Sequence, residues 1–541
     1  MSHYVLDGGR LVVAHAGLPE AMQGRSSERV RSFALYGETT GESDEFGGVV
    51  RHDWAADYRG AATVVYGHTA VVEADWAGRT ICIDTGCVFG GRLTALRWPE
   101  RELVEVPAAR IHYEPVRPLA PPAAARPVGL IDLGDVGGRR TIDTALLGPV
   151  VAPAPLAAAA MEALGRFAVD PRWLIHAPAS YAPTPTAAEG ELEHPLDAFS
   201  YFDDEGVDRV VCEELHHGAR AVLVLGRDPD TAERRFGVPG GPGGVLYART
   251  GRPLLADEAW EAKLIERVRS AFEATGLWNE LASDWAALEC VLLPWSATAE
   301  EVLRRRYAAV GAAARAALGE AQSALALTAA RGVPVAALAA RTARRHAEAV
   351  AFTGAYRPFA GPVVTLEDCQ LALVQVLAAA GEVHARQRDR AWHLAAADCL
   401  AAADPVTFRP TRRRFVALDD PAASAAALDW WASLTAAGAA GIVVRPLEPA
   451  AFGDNGLVPP ALAVRSREFL RLVHGPEYTA PGRLERLRRR PLRGPRAVAL
   501  RQYALGLEGL ERFVAGDSLD RVHECVLGVL ALEAAPLDPR L

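Results

Sequence analysis

The chain has 541 residues, of which 50% are hydrophobic and 23% are charged, and its formal net charge is -9. This length predicts two to four domains with separate cores, and the composition is that of a globular protein. The negative charge argues against a generally basic nucleic-acid coat, although it is compatible with a local basic groove. Arginine supplies nearly all positive charge, because the sequence contains a single lysine, Lys263.

Cellular location is indicated by what the sequence lacks. It has no charged-then-apolar signal peptide and no run of about 18 apolar residues that could span a membrane. The seven cysteines form no C-x-x-C pair and are spread along the chain. We therefore expect buried, reduced thiols in a cytoplasmic protein without a membrane segment.

Patterns along the chain predict an α/β (α+β) protein with several regions. Residues 1–111 alternate short β-type runs with glycine turns, and residues 112–127 (HYEPVRPLAPPAAARP) are typical of a proline-rich linker. A mixed α/β region follows at 128–480, with an alanine- and arginine-rich helical insertion at about 299–356. Residues 481–541 are predicted to be a helical module.

Two histidines and an aspartate follow apolar strands in the first region. His15 lies in VVAHAGL, His68 in VVYGHTAV and Asp84 in CIDTG. Strand ends project such side chains into a loop cleft, as binuclear metal sites need. The alternative is that they are hydrogen-bonded structural residues, and the spacing alone leaves both open.

The segments SHYVLDGGRLVVAHAGL, SFALYGETTGESDEFG, YRGAATVVYGHTAV and TICIDTGCVFGGRLTALRWPERELVEV resemble the phosphatase module of bacterial polynucleotide kinase-phosphatases. These RNA-repair proteins combine kinase, metallophosphoesterase and ligase-like modules. The resemblance implies part of a calcineurin-like β-sandwich. It also implies a divalent metal of the Mn, Ni or Mg class on His15 and His68, with Asp84 at the phosphate site.

The other metal-binding elements of such phosphatases, D-x-H, G-D-x-x-D-R-G and G-N-H-D, do not occur in the sequence. Two metal ions about 3.5–4 Å apart need carboxylate ligands, so His15 and His68 alone would hold at best a weak mononuclear site. We expect half a sandwich with an exposed sheet edge, and no phosphatase activity from the isolated chain. Either a longer reading frame or a separate chain would supply the missing kinase and phosphatase half.

The stretch VVCEELHHGARAVLV (210–224) is typical of a strand, a turn and a second strand. Together with RFAVDPRWLIHAP, EGELEHPLDAFSYF, YARTGR, LPWS, RRRYAAVGAAARAAL, REFLRLVHGPEY and RVHECVLGVLALE, it resembles the ligase module of the same family. The resemblance implies an ATP-grasp-like nucleotidyltransferase fold, with a helical insertion and a helical tail.

In that family a lysine attacks the α-phosphorus of ATP, assisted by a metal held on carboxylates and by further lysines. The nucleophile motif is matched from Glu214 to Arg220, and Leu215 stands where the lysine belongs. Three further groups are replaced, at Val291 (an acid), Ala440 (the metal-binding Glu) and Ala463 (a lysine). The resemblance therefore predicts a pseudoligase.

Some binding capacity remains in the pattern. The expected nucleotide-binding residues are Glu214, Arg220, Arg249, Arg252, Glu289 and Arg445. Arg220 and Arg249 match nucleotide-contacting positions, which leaves room for weak ATP or AMP binding. Alternatively, these residues only complete a hydrogen-bonded sheet surface. Lys263 lies in an amphipathic helix pattern and is predicted to face solvent, not to replace the nucleophile.

Two arginine-rich stretches, 409–415 and 483–501, are candidates for RNA binding, or else a solvated helix face with ion pairs. The sequence thus predicts the C-terminal part of a polynucleotide kinase-phosphatase-like RNA-repair protein. Expected partners are RNA ends, an RNA 3'-terminal methyltransferase and the missing kinase/phosphatase half. One alternative is a non-catalytic RNA-end or nucleotide-binding scaffold; another is that a full-length parent is an active phosphatase and only the ligase module is dead.

Overall fold

The computed structural model describes residues 2–43, 49–113, 140–153, 160, 169–176, 182–183, 191–238, 241–480 and 482–534. Packing divides the chain into an N-terminal unit, Met1–Val128, and a C-terminal unit, Gly129–Leu541. The predicted linker at 112–127 lies outside the described residues from 114 onward.

The N-terminal unit contains a five-stranded sheet in the order β1-β2-β5-β7-β6. Strands β2, β5 and β7 run parallel, while β1 and β6 are antiparallel edge strands. The strands are β1 (His3–Leu6), β2 (Leu11–Ala14), β3 (Thr39–Ser43), β4 (Val49–Arg51), β5 (Thr63–Tyr66), β6 (Trp76–Ala77), β7 (Thr80–Cys82), β8 (Arg92–Arg97) and β9 (Glu102–Pro107). Strands β3 and β4 form one hairpin and β8 and β9 another.

The helix Glu28–Tyr36 covers the sheet of the N-terminal unit. Its first turn is capped by Ser27, whose hydroxyl accepts the Val30 N–H. Val30 and Phe33 pack against the apolar residues of β2 and β5. Strand β1, in contrast, is not covered. Its residues 4–6 are 45–55% exposed, and no described residue pairs with its outer edge.

The C-terminal unit is built on two sheets with the orders β12-β22-β19-β13-β18 and β15-β14-β16-β17. Its strands are β10 (Arg140–Thr144), β11 (Gly148–Ala152), β12 (Ala182–Pro183), β13 (Arg209–Glu214), β14 (Ala219–Gly226), β15 (Gly244–Ala248), β16 (Trp285–Leu293), β17 (Gln370–Ala379), β18 (Arg413–Ala417), β19 (Gly441–Pro446), β20 (Phe452–Gly453), β21 (Gly456–Leu457) and β22 (Leu462–Arg465). The predicted strand, turn and strand at 210–224 are present, but β13 and β14 belong to different sheets. Their connection, residues 215–218, therefore crosses from one sheet to the other.

Helices pack on the outer faces of both sheets and form the insertion and the tail. The helices of the C-terminal unit are Pro195–Asp204, Pro229–Phe236, Glu258–Thr275, Leu277–Glu280, Ser296–Val302, Ala309–Ala330, Ala336–Tyr356, His384–Gln387, Arg390–Ala403, Pro421–Ala436, Arg467–His474, Arg483–Arg488, Arg493–Ala515 and Leu519–Ala534, with a π-helical turn at Leu303–Ala308. The predicted helical insertion and helical tail are both present. No helix within the described ranges is long and apolar enough to cross a membrane.

Candidate nucleotide cleft and histidine site

The connection 215–218 lies beside a small cavity of about 50 Å³ between the two sheets of the C-terminal unit. Five of the residues predicted from the sequence line this cleft: Glu214, Leu215, Arg220, Glu289 and Arg445. The fold brings them together because β13, β19, β14 and β16 carry them to facing surfaces. These five predicted residues therefore lie together in the fold.

Gly218 explains how the chain passes so close to the second sheet. A Cβ atom at this position would lie 2.2 Å from the backbone oxygen of Leu292 in β16. Only glycine fits such a close approach of two backbones. The glycine of the matched motif thus keeps its structural role although the lysine three residues earlier is absent.

Leu215 is 9% exposed and belongs to an apolar cluster with Ala440, Val443, Ala461 and Phe469. Its N–H donates to the backbone oxygen of Gly441 at 2.9 Å. The nucleophile position and the metal-carboxylate position, Leu215 and Ala440, are thus members of one hydrophobic cluster. Both positions are therefore filled by apolar side chains.

Glu213 is paired with arginines of the chain itself. Arg390, at the start of the helix Arg390–Ala403, forms two hydrogen bonds with the Glu213 carboxylate, and the one from Nη2 to Oε2 is 2.6 Å long. Arg390 also donates to the Val374 backbone oxygen at 2.5 Å, and Arg445 Nε lies 3.5 Å from Glu213 Oε2. Because Glu213 is in β13 and Val374 is in β17, Arg390 links the two sheets across the cleft.

A second buried pair forms in the four-stranded sheet. Glu289 is 1% exposed, accepts a hydrogen bond from Arg220, and accepts another from Gln375 Nε2 at 2.7 Å. Burial by itself raises the pKa of a carboxyl group, but Arg220 holds the pKa of Glu289 below its ordinary value. Arg390 has the same net effect on the buried Glu213 carboxyl, whose pKa is also lowered.

Glu214, next to Leu215, accepts two hydrogen bonds of 2.7 and 2.8 Å from Arg412. Beside it, His216 Nε2 is 2.9 Å from the Thr411 hydroxyl, and burial lowers the pKa of this imidazole. All three glutamates of the cleft are therefore neutralised internally. The remaining 50 Å³ is room for a few waters at about 10–15 Å³ each, not for a nucleotide.

A wider cavity of about 390 Å³ lies next to the first and shares Glu214, Leu215 and His216 with it. Its wall includes His217, Phe359 and Arg409. His217 is surrounded by the rings of Trp295, Phe359 and Phe469, with centroids 4.5–5.0 Å from its own. Burial lowers the pKa of His217 to about 4, so this imidazole is neutral at pH 7.

Two predicted nucleotide contacts lie elsewhere. Arg249 forms an ion pair with Glu533 of the last helix, and neither it nor Arg252 lines either cavity. Lys263 faces solvent as predicted, 2.7 Å from Glu367. Sequence patterns missed Arg390, because nothing in DRAWHLAAAD distinguishes a helix-start arginine that turns inward from one that faces solvent.

The histidine site of the N-terminal unit is created by the parallel pairing of β2 and β5. His15 follows β2 and His68 follows β5, so both lie at the same sheet edge, and their Nε2 and Nδ1 atoms are 2.9 Å apart. Arg51, which the sequence patterns did not indicate, donates to His68 Nε2 at 3.0 Å. His68 has φ 73°, a strained backbone conformation outside glycine.

Asp84 stabilises the loop that carries His68. Its two carboxylate oxygens accept the backbone N–H groups of His68 (3.1 Å) and Gly86 (3.2 Å). Within the described part of the chain, no three His, Cys, Asp or Glu side chains form a group that could hold a metal ion. The residues present thus do not fit the binuclear metal centre that the resemblance implies.

Comparison with protein families decides the identity of the larger unit. Residues 159–536 match the model described as "PNKP adenylyltransferase domain, ligase domain". The chain belongs to this PNKP ligase family. Its N-terminal part is similar to metallophosphoesterases, which agrees with the fold expected for residues 1–111.

Relatives of the N-terminal part are named asymmetrical bis(5'-nucleosyl)-tetraphosphatase PrpE. The proteins of Anoxybacillus flavithermus and Geobacillus thermodenitrificans are each 56% identical, over 104 and 108 residues respectively. These matches cover 19% and 20% of this chain. The chain spans less than half the length of these relatives, 42% and 44%.

Two solved structures are similar to this chain. They are described as "Structure of Pnkp1/Rnl/Hen1 complex" and "Structure of the Pnkp1/Rnl/Hen1 RNA repair complex". The first has a TM-score of 0.49 at 16% identity and covers 68% of this chain and 96% of that chain. The second has a TM-score of 0.46 at 14% identity and covers 71% and 99%.

Proposed function

We propose that the C-terminal unit is a pseudoligase, a ligase-family domain that does not form lysyl-AMP, within a polynucleotide-repair protein of the kinase-phosphatase type. The observation that carries this proposal is Leu215 at the nucleophile position, packed with Ala440 in an apolar cluster. An apolar side chain cannot attack a phosphorus atom, and no lysine is near, because Lys263 is exposed and paired with Glu367. Arginine at 445 can neutralise phosphate but cannot act as a nucleophile.

The cleft supports the same proposal through its charges. A nucleotide-binding cleft that works with metal ions needs carboxylates that are free to accept them. Glu213, Glu214 and Glu289 are each bonded to an arginine of the chain instead. Nucleotide entry would have to break these pairs, so we expect no measurable ATP affinity in the cavity between the sheets.

The test is an adenylylation assay with radiolabelled ATP and divalent metal on the full chain. We expect no covalent AMP adduct, and none on the variant Leu215→Lys, because Ala440 and Ala463 leave the metal and phosphate groups unrestored. A labelled band on the wild-type chain, removed by Lys263→Ala, would show that the pseudoligase assignment is wrong.

For the N-terminal unit we propose part of a phosphatase module that acts only when completed by further chain. The pair His15 and His68 supports this, since two facing imidazoles are two of the ligands that a metallophosphoesterase uses. Its substrates would be phosphorylated RNA ends. The identity to asymmetrical bis(5'-nucleosyl)-tetraphosphatases favours a second candidate, a dinucleoside tetraphosphate. Supplying the missing half in trans and comparing the two substrates would separate these.

The partners and location that we propose follow from the repair role. They are RNA ends, an RNA 3'-terminal methyltransferase and the kinase/phosphatase half, in the cytoplasm. An intact fold around an inactive cleft also favours the alternative of a non-catalytic scaffold. Co-purification with a separately encoded phosphatase or kinase half, without any AMP adduct, would support the scaffold.

A further inference from the structure

The segment 483–501 is a long arginine-rich stretch of the C-terminal unit. It contains eight arginines and one acidic residue, Glu485, in a chain whose net charge is -9. The short helix Arg483–Arg488 is fixed by Leu484 and Leu487, which pack against a buried cluster. The side of the helix opposite these leucines carries Arg486 and Arg489, and both are exposed.

Part of this charge is not cancelled by neighbouring carboxylates of the described residues. Arg488 is 3.3 Å from Glu485. No carboxylate of the described residues lies within 4 Å of the Arg486, Arg489 or Arg493 guanidinium groups. Exposed cations without a paired anion keep their field available for an external partner.

The other arginine-rich stretch, 409–415, is different. Arg412 is bonded to Glu214 and Arg413 to Asp398, the latter at 2.5 Å. Arg414 lies over the Trp430 ring with its guanidinium carbon 5.8 Å from the ring centroid. These side chains are committed to the protein itself, so the two stretches are not equivalent candidates.

The fold adds a second set of arginines to the first. On the helix Ala336–Tyr356, Arg345 donates to Glu477 at 2.6 Å, and Arg483 lies 3.9 Å from the same carboxylate. Burial raises the pKa of Glu348, and the positive charges of Arg344 and Arg483 both oppose that rise. Guanidinium groups from two segments more than a hundred residues apart therefore surround the same two carboxyl groups.

We propose that an arginine surface of the C-terminal unit binds the phosphate backbone of a single-stranded polynucleotide. This arginine surface consists of Arg344, Arg345, Arg483, Arg486, Arg489 and Arg493. The proposal rests on the proposed role in polynucleotide repair. Arg344, Arg345 and Arg483 lie around Glu348 and Glu477, so we expect Arg486, Arg489 and Arg493 to contribute most of the binding. Guanidinium–phosphate contacts do not depend on the base, so binding should be insensitive to base sequence. The polynucleotide would therefore contact the insertion and tail helices, not the cleft.

Binding of a labelled single-stranded RNA of mixed sequence to the full chain, measured by anisotropy over a salt series, tests this. Each phosphate contact contributes about 0.7 to the slope of log K against log salt. The variant Arg486→Ala/Arg489→Ala/Arg493→Ala should lower that slope by about 2 and weaken binding about tenfold or more at low salt. A second RNA of different base composition should bind equally well.

The matched control is Arg227→Ala/Arg234→Ala/Arg235→Ala, which removes the same charge. These three arginines are paired with Glu273, Asp228 and Asp284. The control should bind RNA within about twofold of wild type, because these charges are already neutralised. Equal losses in both triple variants would mean that net charge alone governs binding, and the proposal would be wrong.

A third variant, Arg486→Lys/Arg489→Lys/Arg493→Lys, keeps the charge and controls for a folding defect. It should retain the slope of the wild-type chain. Absence of RNA binding by the wild type, or competition by polyglutamate as strong as by RNA, would overturn the proposal. The adenylylation assay does not depend on these residues, so its outcome is separate from this one.

Discussion

The cleft of the ligase-family unit and the histidine site of the N-terminal unit differ in how their polar groups are satisfied. In the cleft, Glu213 and Glu289 are bonded to Arg390 and Arg220, and the nucleophile position is apolar. At the histidine site, the imidazoles of His15 and His68 still face each other across 2.9 Å.

The two sites thus differ in whether their polar groups already have charged partners within the chain. Buried carboxylates that already have arginine partners are charge-compensated within the fold, so a metal ion would have to compete with those arginines. The imidazoles of His15 and His68 have no carboxylate partner of this kind among the described residues, so we expect them to be able to bind a metal ion if further ligands are supplied. Experiments on the cleft and on the histidine site can test this difference.

The largest effect is expected from Arg390→Met, which leaves the buried Glu213 without its main partner. Removing one member of a buried ion pair costs about 3 kcal/mol or more. Native-state hydrogen exchange of peptides that cover β13 should report this as a lower opening free energy. The double variant Glu213→Gln/Arg390→Met should recover most of the loss, and a single variant that costs under about 1 kcal/mol would contradict the structural role of the pair.

The next effect is a pH dependence that arises from His217. Its folded-state pKa of about 4 lies below the unfolded value of about 6.5, so the unfolded chain binds more protons between these values. This contribution to stability is therefore complete above pH 6.5 and declines as the pH falls toward 4, by a total of about 3 kcal/mol.

The variant His217→Phe tests that contribution, since a phenyl ring suits a cage of Trp295, Phe359 and Phe469. Hydrogen exchange of peptides around residue 217 should show a weaker dependence on pH between 6.5 and 4 in the variant. Other buried histidines titrate equally in both proteins, so only the difference is informative. Equal slopes would show that His217 is protonated as easily in the folded chain as in the unfolded one.

Sequence reasoning could indicate residues that line the cleft because its evidence was local. The positions of Leu215 and Ala440 were found from short motifs, and the strands that carry them follow alternating or continuous apolar runs. The partners of the glutamates were not found. Glu213 and Arg390 are 177 residues apart, and only the assembled sheets bring them into contact.

The same limit explains the misplaced and the missed arginines. Arg249 was expected at the nucleotide and is bonded to Glu533, which a helix far along the chain supplies. Arg51 contacts His68 through a hairpin whose strands gave no metal-site signal. The guanidinium group of arginine lies several ångströms from its backbone. Motif matching therefore predicts the backbone position of an arginine, but not which carboxylate or imidazole its side chain contacts.

A smaller effect is expected at the histidine site. Two imidazoles bind a divalent cation weakly, so millimolar Ni²⁺ or Mn²⁺ should stabilise the peptides around residues 15 and 68 by less than about 1 kcal/mol. His15→Ala should abolish even this. We expect no metal-dependent hydrolysis of a phosphomonoester by the chain; robust hydrolysis that His68→Ala removes would mean that the site is complete without additional ligands.

The smallest effect is expected from Lys263→Ala, which removes the lone lysine of the chain. The Lys263 side chain is 55% exposed, and its ammonium nitrogen lies 2.7 Å from Glu367. Such a surface ion pair contributes about 0.5 kcal/mol or less to stability. Hydrogen exchange on the helix Glu258–Thr275 should therefore be nearly unchanged. If the substitution instead changed ATP binding or the hydrogen exchange of the cleft peptides, Lys263 would be coupled to the cleft. The proposal that the cleft has no nucleotide chemistry would then be wrong.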